Sequence, residues 1–140
     1  MTVRASQSGA LQSGQANVPN PAVARVKIDF ETDLGNAQRF VKRHGKNVRF
    51  IPEWRKWIIW DGNRWEVDND GAVVRLAKET VWAMYGEALR RADQRQQTAL
   101  FKHALKSQSE ARLNAMVSLA QTELEVVLSA KALDLRAWSA

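Results

Sequence analysis

The chain has 140 residues, with 21 Lys and Arg against 15 Asp and Glu, a formal net charge of +6 and no cysteine. This length suits one compact domain with its own core, and the missing cysteines exclude a disulfide framework and any thiolate site for zinc or redox chemistry. Because the N-terminus also lacks a long apolar run, we expect no signal peptide, no membrane contact and a reducing cytoplasm.

The N-terminal stretch differs in composition from the rest of the chain. Residues 1–24 are rich in Ser, Gln, Gly and Asn and poor in large apolar side chains. Such a segment buries too little surface to offset the loss of chain entropy on folding. We therefore predict a flexible tail over residues 1–30.

A helix is predicted over residues 33–44. Thr32 is a suitable N-cap, and Gly45 is expected to end the helix in the left-handed conformation. His44 precedes this stop, where a cation suits the helix dipole. The apolar face predicted for the helix consists of Leu34, Ala37, Phe40 and Val41.

Residues 48–67 contain β-branched and aromatic side chains around a turn signal at Asp61-Gly62, which predicts a three-stranded antiparallel sheet. Four of the six tryptophans fall within residues 54–65. Trp60 and Trp65 flank the turn, where aromatic pairs stabilise hairpins. We expect helices to cover one face of the sheet only. We interpret the indoles as structural, and the alternative is that an exposed indole stacks on a nucleic-acid base.

From residue 72 the apolar period becomes helical, which predicts helices over residues 72–91, 94–106 and 110–121. Their predicted inward residues include Tyr85, Leu105 and Leu119. Residues 124–140 contain a short β-like run at 126–128 and then no clear period. The predicted fold class is α+β, a small three-stranded antiparallel sheet with a bundle of about four helices. We divide the chain into a tail (1–30), a folded domain (31–123) and a C-terminal segment (124–140).

Catalysis has little support in the sequence. The P-loop, nucleophile-elbow and zinc patterns do not occur, and we predict no catalytic residue, metal site or cofactor. His44 and His103 are far apart, so we interpret each as a structural residue. Asp61, Asp68 and Asp70 follow predicted strands, where acidic residues usually serve turn geometry.

Positive charge concentrates in residues 72–112, which contain eight basic and four acidic side chains. A basic balance favours an anionic partner, nucleic acid first. We predict phosphate contacts for cations that lie opposite the apolar helix faces, and a weaker base or partner contact for Trp54 and Arg55. The predicted phosphate-contacting residues are Arg90, Arg91, Arg95, Lys102 and Lys106.

Four pieces of the sequence, in this order and spacing, resemble one known family. They are an asparagine in the opening helix (Asn36), "WDGNRW" at 60–65, "KSQS" at 106–109 and "LDLRAW" at 133–138. Over about residues 32–138 the chain is similar to the N-terminal-like domain that precedes the helicase in phage, plasmid and poxvirus primase–helicases.

The resemblance implies a domain placed between a primase module and a hexameric AAA+ helicase, in proteins with ATPase activity. This sequence contains neither Walker motifs nor primase carboxylates, so we expect no enzyme activity from the chain alone. We expect a fragment or a stand-alone copy from a bacterial host cell. Its expected function is helicase assembly and DNA engagement in replication. The alternative is a stand-alone protein-interaction module of a mobile element, such as an inhibitor of a host or phage protein. Its expected partners are single-stranded or forked DNA, helicase or primase domains or subunits, and further copies of itself.

Overall fold

The computed structural model describes residues 31–136, with side chains placed as far as residue 133. In chain order the elements are α1 (Asp33–His44), β1 (Val48–Ile51), β2 (Lys56–Trp60), β3 (Trp65–Val67), α2 (Ala72–Leu89), α3 (Gln94–Lys106), α4 (Glu110–Ala120) and α5 (Ala130–Arg136). The strands form one antiparallel sheet in the order β1-β2-β3. The predicted α+β class is therefore confirmed, whereas the predicted tail over residues 1–30 lies outside the described residues.

Helix α1 begins as predicted and ends differently. The Thr32 hydroxyl accepts a hydrogen bond from the Gly35 amide at 2.9 Å, which caps the helix. Gly45 has φ −58° and ψ −24°, so the predicted left-handed stop was wrong. Its amide continues the helical pattern to Val41 at 2.7 Å, and the chain turns into β1 only after Asn47 has bonded to the His44 carbonyl.

Trp57 is the central aromatic residue of the sheet. It pairs with Phe50 across β1 and β2, with ring centroids 5.3 Å apart, and its ring lies 6.0 Å from that of Phe40. The other predicted pair, Trp60 and Trp65, is also in register, with centroids 5.5 Å apart. One strand residue thus joins the sheet to the helices, and one cross-strand pair stabilises the hairpin.

Both faces of the sheet are covered. The main core lies between one face and helices α1–α4, and a second cluster on the opposite face contains Ile51, Ile58 and Leu133. The C-terminal segment reaches that face because Phe50 donates to Val126 and accepts from Leu128, at 2.8 and 3.0 Å. The expectation of helices on one face only was wrong. Helix α5 was not predicted, because a seven-residue helix is too short to show a period.

Asp61 and Asp68 organise the two ends of β3, as the turn interpretation expected. One Asp61 oxygen accepts from the amides of Asn63 and Arg64, at 2.8 and 2.9 Å, and closes the hairpin loop. The Asp68 carboxylate accepts four amides, those of residues 70–73, at 2.9–3.2 Å, and so caps α2. Within the described residues, no group of three acidic or histidine side chains is arranged to hold a metal ion.

The helices after residue 72 agree with their predicted bounds to within two residues, but their inward faces differ. Leu105 and Leu119 are exposed, so their predicted inward placement was wrong. Leu34 on α1, predicted on the apolar face, is exposed too. In α3 the core-facing residues are Leu100, His103 and Ala104, which turns Leu105 toward solvent.

The fold predicts a contrast between two apolar residues of α1. Phe40 is fully buried against Trp57, whereas Leu34 is half exposed on the same helix. We expect Phe40→Ala to lower the free energy of unfolding by about 3–5 kcal/mol, because it leaves a cavity. Leu34→Ala should change it by less than about 0.5 kcal/mol. Urea denaturation measures both, and similar losses for the two variants would contradict the described core.

Candidate nucleic-acid interface

Arg91 belongs to a four-residue ion network that joins α1 to α2. The Arg39 guanidinium bonds to both Glu87 carboxylate oxygens, at 3.2 and 3.1 Å, and Arg91 contacts the same carboxylate at 3.1 Å. Both arginines also reach Glu31 at 3.4 Å. The Arg39 hydrogen bond, helped by Arg91, holds the pKa of Glu87 below its usual value, although burial opposes this. Arg91 is only 23% exposed, so its prediction as a solvated cation was wrong.

The other four cations predicted on α2 and α3 are exposed: Arg90, Arg95, Lys102 and Lys106. None of them forms an ion pair with a carboxylate among residues 31–133. A phosphate could therefore approach them without displacing an existing partner. This property distinguishes them from Arg91.

Arg90 lies in a concavity of about 340 Å³ together with Lys42 and Arg43 from the last turn of α1. All three side chains are exposed, and none has an ion-pair partner in the described part of the chain. Glu87 also borders the concavity, but Arg39 and Arg91 already offset its charge. We call these three cations the α1–α2 cation cluster. The sequence analysis missed Lys42 and Arg43, because only the packing of α1 on α2 brings them to Arg90.

Arg95 and Lys102 lie elsewhere, around a more open concavity of about 950 Å³ at the start of α3. Glu31 and Asp93 line the same space. The Asp93 side chain also caps α3 by accepting the Arg95 amide at 2.8 Å. Two carboxylates line this concavity, whereas one lines the concavity of the α1–α2 cation cluster. It therefore attracts phosphate less strongly than the cluster does.

Trp54 and Arg55 lie on the turn between β1 and β2, and neither borders the concavities that hold Arg90 and Arg95. Both side chains are exposed. Arg55 has φ +53°, a left-handed conformation that is costly for a residue with a Cβ. Glu53 of the same turn accepts the Ala130 amide at the start of α5, at 3.2 Å. The turn therefore also anchors the C-terminal segment.

The remaining indoles of the hairpin have structural contacts. Trp57 is buried, so a base cannot stack on its ring. Its ring N–H has no hydrogen-bond partner. Trp60 and Trp65 are half buried against each other, and the Arg49 guanidinium lies 5.4 Å from the Trp65 ring centre. Their structural interpretation is confirmed.

His103 is part of a buried polar cluster that joins α1 to the end of α3. The Asn36 carbonyl oxygen can only accept, so His103 Nε2 donates to it, at 2.7 Å. The Asn36 amide donates to the Ser107 hydroxyl at 3.0 Å, and that hydroxyl donates to the His103 carbonyl at 2.7 Å. We call these residues the Asn36–His103–Ser107 cluster. Burial, with a contribution from the nearby Arg39 cation, lowers the pKa of His103.

His44 is buried beside Phe40, with ring centroids 5.4 Å apart, and its Nε2 has no hydrogen-bond partner. Burial lowers the pKa of His44, although Glu79 opposes this. The predicted helix-dipole cation was therefore wrong at this position. Both histidines are structural.

The family model described as "D5 N terminal like" matches residues 37–139. The chain belongs to this family. The resemblance to the N-terminal domain of primase–helicases is thus confirmed. Neither a curated protein nor a solved structure matches significantly.

In this D5 N terminal like domain, the residues that carry the resemblance hold the fold together. Asn36 and the serine of "KSQS" at 107 form the buried cluster, and the second serine, Ser109, caps α4 by accepting the Arg112 amide at 3.2 Å. The two tryptophans of "WDGNRW" are the cross-strand pair. Trp138 of the closing "LDLRAW" lies outside the described residues. No helix within residues 31–136 is long and apolar enough to span a bilayer.

The buried histidines predict a loss of stability in mild acid. Both pKa values lie below 6.5 in the folded state, so the unfolded chain binds protons first as the pH falls. The free energy of unfolding should be highest above pH 6.5 and decrease below it, through the folded-state pKa values. Urea denaturation at about pH 7.5 and 5.5 measures the difference.

His103→Gln is the matched variant, because glutamine retains an N–H donor for Asn36 and does not titrate in this range. We expect lower stability at both pH values and a smaller pH-dependent decrease than in the parent chain. If the pH-dependent decrease in stability were the same in His103→Gln as in the parent chain, protonation of His103 on unfolding would not be its cause.

Proposed function

We propose that this domain is a non-catalytic accessory part of a phage- or plasmid-type primase–helicase that engages DNA through its phosphates and supports assembly of the helicase. The supporting observation is the α1–α2 cation cluster, in which Lys42, Arg43 and Arg90 face one concavity without carboxylate partners among the described residues. Family membership supports the replication context.

The ion network at the same junction favours a positional role for its partly buried arginines. Arg39 and Arg91 hold Glu87 and Glu31, so their charges are already balanced two against two. The net positive charge of the junction therefore comes from the α1–α2 cation cluster. A phosphate there meets three cations whose desolvation cost is small, since each remains largely in water.

Contacts of this kind give affinity without sequence preference, because phosphates are the same at every base. They also release condensed counterions, so the affinity falls steeply as salt rises. Arg95, Lys102 and Lys106 extend the basic surface along α3 and contribute secondary contacts in this proposal.

The DNA contact predicts a charge-specific loss of affinity. We expect fluorescein-labelled oligothymidine to bind at low salt, and Arg90→Glu or Lys42→Glu to weaken binding by about tenfold or more in fluorescence anisotropy. Lys131→Glu on α5 is the matched control, since it makes the same charge change at an exposed position away from the cluster.

Two outcomes would count against the proposal. Absence of binding by the parent chain at low salt removes the DNA contact. An equal loss in Lys131→Glu assigns the binding to net charge rather than to the α1–α2 cation cluster.

The turn at Trp54 and Arg55 can be tested without unfolding it. Arg55 has φ +53°, so Arg55→Gly removes the guanidinium and relieves the conformation at once. We expect thermal stability to stay equal or rise, whereas Arg55→Ala should not raise it. A loss of oligothymidine affinity in both variants would assign this turn to the DNA surface, and unchanged affinity would exclude Arg55.

A protein-interaction module is the second candidate function, and the exposure of Trp82 on α2 favours it. Sedimentation analysis separates the two candidates. A defined oligomer without DNA supports the interaction module, whereas a monomer that binds oligothymidine supports DNA engagement.

A further inference from the structure

Three large apolar side chains on α2 and α3 face solvent. Trp82 is 62% exposed, Leu89 is 69% exposed and Leu105 is 66% exposed. A single exposed leucine is ordinary, but a group that includes a tryptophan is typical of interaction surfaces. None of these residues belongs to the DNA contact proposed above.

The three side chains border one groove between α2 and α3. Tyr85 lies one turn from both Trp82 and Leu89 and contacts Phe101 on α3, with ring centroids 5.8 Å apart. Leu105 follows Phe101 by one turn and is therefore on the same side of α3. The α2–α3 groove is lined by Trp82, Tyr85, Leu89, Phe101 and Leu105.

One end of the α2–α3 groove is closed by polar contacts. Gln108, just after α3, donates a hydrogen bond to the Tyr85 hydroxyl at 3.0 Å. Gln108 and Trp82 also border a pocket of about 250 Å³ with Lys78 and Leu113. An indole beside a small pocket is the geometry in which an apolar partner side chain becomes buried.

The charges beside the groove are mainly positive. Lys78 lies on the same stripe of α2 as Trp82, and Lys102 lies one turn from Leu105 on α3. Neither has a carboxylate partner among residues 31–133. Glu79 is the exposed acid nearest in sequence to Trp82, but it lies toward His44 of α1. Two copies meeting through this surface would bring like charges together, which disfavours self-association and favours an acidic partner.

We propose that the α2–α3 groove binds an amphipathic helix of a protein partner whose apolar stripe is flanked by acidic side chains. A helix of this kind places residues at i, i+3, i+4 and i+7 into a groove between two helices. Leu89 and Leu105 argue against a nucleic-acid base as the occupant, because aliphatic side chains offer no ring for stacking.

A synthetic peptide tests this groove directly. The probe is a fluorescein-labelled amphipathic helix with a leucine stripe flanked by glutamates, and its matched partner carries lysines at the same positions. We expect the full chain to bind the glutamate peptide at least about tenfold more tightly than the lysine peptide in fluorescence anisotropy. Trp82→Ala and Leu105→Ala should each weaken binding of the glutamate peptide by about tenfold.

Leu124→Ala is the control, because Leu124 is the most exposed of the described large apolar residues, at 89%, and lies outside the groove. It should leave peptide affinity unchanged. Circular dichroism confirms that the variants fold, which their exposed positions favour. Oligothymidine affinity should stay unchanged in the groove variants. A failure of the peptide-binding proposal can therefore be distinguished from a failure of the DNA-binding proposal.

Four results would overturn the proposal. The first is absence of binding by the glutamate peptide, and the second is binding that Trp82→Ala leaves intact. The third is a dimer of the parent chain that Trp82→Ala dissociates, since this assigns the groove to a second copy. The fourth is a loss of oligothymidine affinity in Trp82→Ala, since this assigns the indole to base stacking.

Discussion

The buried amide of Asn36 determines how the helices of this domain are arranged. Its oxygen accepts from His103 in the last turn of α3, and its nitrogen donates to Ser107, which directly follows that helix. One side chain of α1 therefore bonds to two polar groups at the end of α3. Removing one partner from a buried bond of this kind costs about 1–3 kcal/mol, because the remaining group is desolvated without compensation. An alternative rotation of α3 would leave three polar groups unpaired, so the cluster specifies the rotation. That rotation turns Leu105 to solvent and creates one wall of the α2–α3 groove.

A second polar contact, made by Arg39, joins α1 to α2. Arg39 holds Glu87 with two hydrogen bonds, and Arg91 binds the same carboxylate from the end of α2. Because these bonds fix the C-terminal half of α1 against α2, Lys42 and Arg43 stand beside Arg90. Asn36 and Arg39 are three residues apart, so a single turn of α1 bonds to both α2 and α3. The surface features of the domain thus depend on polar contacts that are buried at Asn36 and partly buried at Arg39.

Local patterns predicted the parts of this fold that local chemistry decides. The tryptophan hairpin and the helices after residue 72 followed from side-chain period and from turn and capping residues. Helix α5 did not, because its position depends on bonds between β1 and residues 126–128 that are distant in sequence. The placement of Leu105 and Leu119 was wrong because an apolar stripe indicates that a helix packs, and tertiary contacts decide its rotation. Arg91 was misplaced because its pairing with Glu87, which is local at i,i+4 spacing, was overlooked, and because its other partner, Glu31, is distant in sequence. Lys42 and Arg43 were missed because the cluster with Arg90 exists only after α1 has packed on α2.

Helix α2 connects the two proposed surfaces. Arg90, which directly follows the helix, faces the α1 side, and Leu89 faces the α3 side. Successive residues of an α-helix differ in direction by about 100°, so neighbours in sequence serve different surfaces without overlap. The face of α2 between them carries Ala77, Met84 and Ala88, which are fully buried and hold the helix in the core. A ligand at one surface therefore has no steric reason to displace a ligand at the other. Under the two proposals, one helix thus holds an anionic strand and a protein segment at the same time.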